Sequence, residues 1–253
     1  MGYGSVWIAL VVLMTLPARG DGTNAYAGSD WDLMDAGKVM AAAADITPEK
    51  FPNCDEVTVD GKSVRFYRPD GTGESQDETF IKVLTEKGRR DNRTLSFGFM
   101  LPYTTVSVAK LEVISPGGQV TPVDVAANSK ESIDDSQMAE NIYDPNDRVL
   151  RVNIPKLETG DVVHLVARQT TERPLIPGEF DDENVFEGSG YIRHQTYDVH
   201  APGDRPLQRI GLRDEIPGTV TDSVQTNADG SLTYHWEIKE VPRMYDEASM
   251  PPY

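Results

Sequence analysis

From Asp55 onward, apolar residues recur at every second position in one short run after another. A period of two sends alternate side chains to opposite faces of an extended strand, so such runs bury one face by pairing into sheets. Val64 and Phe66 alternate with Ser63 and Arg65, and Leu150, Val152 and Ile154 alternate with Arg151 and Asn153. Near the end, Leu232, Tyr234, Trp236 and Ile238 alternate with Thr233, His235 and Glu237. Thr79–Thr85, Thr105–Ile114, Val162–Arg168 and Tyr191–His200 are further β-rich runs. In Thr105–Ile114 the apolar phase slips between Val108 and Ala109, the mark of a β-bulge. Turn signals separate the runs: Glu86-Lys87-Gly88, Ser115-Pro116-Gly117-Gly118, Glu158-Thr159-Gly160-Asp161 and Asn227-Ala228-Asp229-Gly230. Eight or more strands joined this way, with no strand–helix alternation, predict a mainly β chain: an antiparallel β-sandwich with one short N-terminal helix.

That helix is expected over Trp31–Ala44, where Leu33, Ala36, Met40 and Ala43 fall near one face. Ser29 or Asp30 can cap it, and Asp30 and Asp32 suit the positive end of its dipole. Before it, Val6–Leu16 is an apolar run of eleven residues. Spanning a bilayer takes roughly 20 apolar residues, so the run fits the hydrophobic segment of a signal peptide instead. Ala18-Arg19-Gly20 places small residues suitably for a cut before Asp21. No Lys or Arg precedes the run, which keeps an uncleaved anchor as the second reading. The expected organisation is a signal peptide over 1–20, a leader and helix over 21–47, and a β-sandwich over 48–253. The protein is then exported, periplasmic or extracellular, with no membrane span after cleavage.

The formal net charge is −17. Removing residues 1–20 takes away Arg19 and no acid, leaving 23 bases against 41 acids, or −18. Such a surface repels polyanions, which argues against a nucleic-acid partner. Cys54 is the single cysteine, so no intrachain disulfide is open to the chain.

Catalytic constellations find little support. Cys54 sits between Pro52 and the acidic pair Asp55-Glu56, which disfavours a thiolate nucleophile. There is no Gly-x-Ser-x-Gly elbow. His194, Thr196, Asp198 and His200 share a strand face, but six residues at about 3.3 Å each put the two histidines near 20 Å apart. That face, like His235 beside Thr233 and Glu237, reads as solvated, and His164 among valines reads as a hydrogen-bonded, partly buried residue. Carboxylate pairs at Asp134-Asp135, Asp181-Asp182-Glu183 and Glu237 with Glu240 are expected from composition alone in a chain with 41 acids. Asn92-Arg93-Thr94 is a chance-level glycosylation pattern. No catalytic, cofactor-binding or metal-binding residue is assigned. The binding candidates are the aromatics Tyr143, Phe180, Phe186, Tyr191 and Tyr197, in or beside the long loops Ala127–Ala139 and Leu175–Glu187, where a sugar could stack. Such rings more often fill a core or a domain interface.

An ordered set of segments resembles the domain of unknown function 3857 family. Phe51-Pro52 with Asp55-x-Val57, then Ile81-Lys82-Val83-Leu84-Thr85-Glu86-Lys87-Gly88, is similar to its opening. Ile142-Tyr143-Asp144-Pro145, Val149-Leu150-Arg151-Val152, Ile154-Pro155 and Gly160-Asp161-Val162-Val163 resemble its middle. Phe180–Glu187, Tyr197–Pro202, Tyr234-x-Trp236 and Glu247–Pro252 continue to its end, so the resemblance covers about 48–253. Cys54 stands where the family usually has alanine. The resemblance implies a β-sandwich placed before a transglutaminase-like domain with Cys, His and Asp, the suspected partner in the same chain, and it implies no catalytic residues in this part. Ending at Met250-Pro251-Pro252-Tyr253, the sequence is expected to be a fragment. An accessory domain is the leading reading. A stand-alone exported glycan- or protein-binding module is the alternative, and a hydrolase using acidic residues is the third.

Overall fold

The computed structural model describes residues 31–136, 143–208 and 216–244. The signal peptide, the leader, the Ser29 or Asp30 cap, part of the Ala127–Ala139 loop and the Glu247–Pro252 segment lie outside the described residues.

The chain is mainly β, with one short helix near its start. Helix α1 spans Ala36–Ala43, capped by the Asp35 carboxylate, which accepts from the Gly37 and Lys38 amides. It begins five residues later than expected because tertiary bonds hold the preceding backbone. Gln76 donates to the Trp31 carbonyl, Lys62 to the Asp32 carbonyl, and the Met34 amide donates to Glu78 at 2.8 Å. Strands β1 (Glu56–Tyr67) and β2 (Gly73–Val83) form a hairpin, followed by a short helix α2 (Glu86–Asp91) where only a turn is expected. Then come β3 (Thr94–Met100), β4 (Thr104–Ile114), β5 (Val120–Pro122), α3 (Val125–Asn128), β6 (Ser129–Ile133) and β7 (Asp147–Asn153). The remaining strands are β8 (Val162–Thr171), β9 (Tyr191–Ala201), β10 (Val220–Thr226) and β11 (Leu232–Val241).

Eight strands form one sheet in the order β10-β11-β9-β1-β2-β8-β4-β5, and β3-β7-β6 form a second. Pairing is antiparallel except at β1 and β9, which run parallel. This corrects the all-antiparallel expectation: periodicity records which face a residue takes, not which way its strand runs. The expected bulge is present, as the β4–β8 register shifts between Val108 and Lys110.

Both faces of the large sheet are covered. On one, Val39, Ala43 and Ile46 of the helical segment pack on Val57, Val59, Phe80, Ile114 and Val162. The opposite face takes two covers. Leu95, Phe97, Leu150 and Val152 of the small sheet meet Leu111, Val113 and Val163 at the β4–β8 end. At the other end, Phe180 and Phe186, from the connection between β8 and β9, pack on Tyr67, Tyr197, Val199, Tyr234 and Trp236. Among the described residues, no helix is long and apolar enough to cross a membrane.

Candidate functional site

After β8 ends at Thr171, the chain crosses the sheet without regular structure until Tyr191. This strap is fastened by one half-buried cation. Arg65 reaches Asp77 at 2.9 Å and Asp182 of the strap at 3.0 Å, and its guanidinium carbon lies 5.3 Å from the centre of the Tyr197 ring. Burial works against the Arg65 charge, but Asp77 and Asp182 outweigh it and hold the guanidinium above its ordinary value. The Tyr197 hydroxyl also donates to Asp182. Burial, then the Asp182 charge, push that phenol far above the usual tyrosine range. Two strap rings complete the attachment: Phe180 lies 4.3 Å from Tyr67 and Phe186 lies 5.9 Å, edge-on, from Tyr197.

Beside this attachment the strap walls a cleft of about 1040 Å³. Tyr67, Tyr103, Arg173, Leu175, Ile176, Phe180, Arg205 and Leu207 are among its lining residues. Backbone contacts fix its rim. The Gly178 amide donates to the Asp70 carbonyl at 3.0 Å and Arg205 donates to the Gly178 carbonyl at 3.2 Å. Gly71, at φ +86°, lets the β1–β2 turn approach: a Cβ there would lie 2.6 Å from the Glu179 carbonyl oxygen. Leu175 and Ile176 stay 71% and 63% exposed, an apolar pair at the mouth. No Cys or His lines the cleft among the described residues, so its chemistry is apolar contact, hydrogen bonding and charge pairing.

The strap makes a separate, testable contribution. Tyr197→Phe deletes only the hydroxyl that donates to Asp182. A loss of about 1 kcal/mol is expected, the usual net worth of one such bond. Chymotrypsin should then cut after Phe180 and Phe186 several times faster, while an unchanged rate would mean that this bond does not hold the strap.

The structure brings Phe180, Phe186 and Tyr197 of the sequence candidates together and leaves the other two apart. Tyr143 stands exposed just before β7. Tyr191 packs edge-on against Phe51 at 5.0 Å in the cluster under α1, and its hydroxyl donates to Glu240 at 2.6 Å. Burial, helped by Glu240, pushes its phenol up to about 12. Of the three acidic candidates at 181–183, Asp182 is taken up by Arg65 and Tyr197. Cys54 is buried, and burial raises its thiol. Asn92 is buried too, its amide donating to Glu56 and to the Gly88 carbonyl, so the glycosylation pattern presents no free acceptor.

The histidines are more engaged than a solvated face implies. His235 lies 2.6 Å from Asp198, and His200 is buried and stacked 4.4 Å from Phe66. His194 Nδ1 lies 2.7 Å from Asp60 and its Nε2 3.4 Å from Glu237. The Asp60 hydrogen bond raises the His194 pKa against its burial. A raised folded value means stability fully present below the unfolded pKa, about 6.5, and lost as pH rises through the folded value. Thermal melts of wild type and His194→Gln should therefore differ more at pH 5.5 than at pH 8.5. A gap that stays constant or widens with pH would refute this. No cluster of three or more His, Cys, Asp or Glu side chains suited to a metal occurs among the described residues.

The deepest polar group lies under α1. His164, 1% exposed, sits 2.8 Å from Glu112 through Nδ1 and 2.8 Å from Glu78 through Nε2. Its ring stacks on Phe80 at 3.8 Å between centres. Glu112 also meets Lys110 at 2.9 Å, and the second Glu78 oxygen accepts the Met34 amide. Two N···O contacts of this length require two protons shared among the three side chains. Sequence reading missed both glutamates. The available signal was an acid, Glu78, two residues before Phe80 and so on the same face of its strand.

The family profile described as a domain of unknown function with a solved structure, DUF3857, matches residues 69–245, well over half of the chain. The chain belongs to the DUF3857 family. The matched region leaves out the Phe51-Pro52 segment that also resembled it. Among solved structures, this DUF3857 chain superposes on a crystal structure of a putative protease from Parabacteroides distasonis with a TM-score of 0.67 at 15% identity. The overlap covers 79% of this chain and 38% of that one, so the chain spans well under half of that relative's length. At that identity the likeness shows the fold. An M1 zinc metallopeptidase from Deinococcus radiodurans aligns at a TM-score of 0.31 and 12% identity, over 72% of this chain and 38% of that one. A carbohydrate-binding domain of the cellulosome scaffoldin of Clostridium thermocellum aligns at 0.29 and 10%, over 53% and 80%. Scores this low carry no argument. No curated protein matches the sequence.

Proposed function

We propose that this DUF3857 domain is a non-catalytic accessory module of a longer exported protein whose catalytic part is transglutaminase-like or cysteine-protease-like. It works outside the cytoplasm, in the periplasm or beyond the cell. The observation that carries the reading is the overlap with the Parabacteroides protein: most of this chain, but little more than a third of that one, is shared. The architecture supports it. Among the described residues the cleft offers no nucleophile paired with a base, whereas Leu175 and Ile176 of its strap face outward beside Arg173 and Arg205. A surface of that kind suits contact with another part of the same protein.

The test is an assay of the purified chain alone, and of the longer natural protein with and without residues 31–244. The chain alone should neither hydrolyse peptides nor cross-link glutamine to lysine. The longer protein should lose activity or stability when these residues are removed. Peptide hydrolysis by the isolated chain would overturn the reading.

A further inference from the structure

The two ends of the large sheet are unlike. At one, β5 is three residues long and contains Pro122, which cannot donate to a neighbouring strand. In the small sheet, β6 presents Lys130 and Glu131, and β3 is interrupted by Gly98. At the other end of the large sheet, β10 runs for seven residues, Val220-Thr221-Asp222-Ser223-Val224-Gln225-Thr226, with no Pro, Gly or Lys. After Val220 every one of its residues is exposed, Val224 by 56%. Among the described residues, no strand pairs with its outer edge.

The pairing with β11 fixes which backbone groups that edge presents. Asn227 donates to the Ser231 carbonyl at 2.8 Å, and Lys239 donates to the Thr219 carbonyl at 2.8 Å. Between these two hydrogen-bonded positions the antiparallel pattern alternates, so Thr221, Ser223 and Gln225 turn their N–H and C=O toward β11. Val220, Asp222, Val224 and Thr226 then turn theirs outward: four donors and four acceptors in a row.

This row is complementary to itself. Laid antiparallel against a second copy about Ser223, Val220 faces Thr226 and Asp222 faces Val224. Each of these is a pair that exchanges two bonds, so every outward donor and acceptor of both strands is satisfied. Side chains agree with that register. Thr221 faces Gln225, Ser223 faces Ser223, and no two acids are directly opposed. Shifting the register to centre on Asp222 would set two carboxylates face to face, which is destabilising. We propose that two copies of this chain join along β10, antiparallel about Ser223, so that one sheet runs through both. The occupant is a second copy because the edge is its own complement in both hydrogen bonds and side chains.

The high negative charge of each copy, and the two Asp222 side chains lying diagonally across the junction, oppose the pairing at low ionic strength. Dimerisation therefore strengthens with salt, as screening shortens the reach of these charges. Asp222→Asn strengthens it most in dilute buffer.

The experiment is sedimentation of the purified chain over a range of concentrations, together with two register-specific cysteine variants. Wild type forms a dimer whose population grows with concentration. Val224→Pro removes an outward N–H that β11 does not use. It leaves the circular dichroism unchanged and weakens the dimer by about tenfold or more, since by symmetry two intermolecular bonds go. Ser223→Cys places two thiols in a non-hydrogen-bonded pair with Cα atoms about 4.5 Å apart, within the range a disulfide spans. It cross-links under mild oxidation. Thr221→Cys puts the two thiols four residues apart along the strands, about 13 Å at the usual rise, and does not. A wild-type chain that stays monomeric at millimolar concentration overturns the proposal. So does a Val224→Pro dimer as tight as wild type, or equal cross-linking at 221 and 223.

Discussion

Replacing His164 with alanine is expected to lower the free energy of unfolding by about 3–5 kcal/mol, the range for breaking a buried ionic group by removing one partner. The variant leaves Glu78 and Glu112 facing a void, with no donor between them and with Phe80 stripped of its stacking partner. The pH dependence has a definite sign. Burial disfavours the Glu112 charge, but the hydrogen bonds from His164 and Lys110 prevail and hold its carboxyl below the ordinary glutamate value. A depressed folded pKa contributes stability that is present above the unfolded value, near 4.3, and lost as pH falls through the folded one. Wild type should thus lose part of its advantage over His164→Ala as the pH drops below about 4. Converting Glu78, His164 and Glu112 together to leucine should recover much of the loss, because an apolar set of similar volume avoids desolvating charge. It would not restore the Met34 amide bond to Glu78, so amide exchange at Met34 should remain fast in the triple variant. Denaturant titration of the three proteins checks these expectations. A single variant within 1 kcal/mol of wild type would contradict the view that this network pins the N-terminal arm to the sheet.

The second large effect is expected at a glycine. Gly88 lies in the first turn of α2, where its amide donates to the Thr85 hydroxyl oxygen at 3.1 Å. The same hydroxyl donates to Asp55 at 2.6 Å, and the Asp55 carbonyl accepts from the Leu84 and Thr85 amides. A Cβ on Gly88 would stand 2.1 Å from that carbonyl oxygen. The obstacle is backbone at the entry to β1 and cannot rotate away. Gly88→Ala must push α2 off the sheet, straining the cap and the bonds around Asp55. A cost of about 2–4 kcal/mol is expected, from overpacking plus one or two weakened hydrogen bonds. For a chain of this size that is a fall in Tm of roughly 4–16 °C. Gly98→Ala is the control: a Cβ there meets nothing within 4 Å, and the change should stay within about 0.5 kcal/mol. Equal effects at the two glycines would refute the steric account.

Much of this architecture was legible because one face of most strands is buried. Tyr234, Trp236 and Ile238 sit in the core at the spacing their alternation dictates, and the slip after Val108 is a true register shift. β10 left no such trace. Both of its faces are exposed, so Val220–Thr226 has nothing to alternate against. The parallel pairing of β1 with β9 was invisible for a different reason, since a side-chain period carries no direction. Helix α1 starts late because Glu78, Gln76 and Lys62, distant in sequence, hold residues 32–34 and Trp31 in place.

The site was legible only in part. Phe180, Phe186 and Tyr197 were singled out as aromatics beside a long loop, and they do meet. Arg65, which joins Tyr197 and Asp182, lies 117 residues from that acid along the chain. Glu78 and Glu112 stand 86 and 52 residues from His164. No local pattern links groups so far apart; only the pairing of β2, β8 and β4 makes them neighbours.

If this DUF3857 domain serves as part of a longer exported enzyme, as proposed, the size of the natural protein will show it. An antibody raised against residues 31–244 would be used to blot envelope and secreted fractions of the source cells. The expected band is far larger than the 27.9 kDa of this sequence, found outside the cytoplasm and carrying a Cys, His and Asp catalytic part when its peptides are sequenced. A single band at or just below 27.9 kDa would contradict it, since the domain would then act alone.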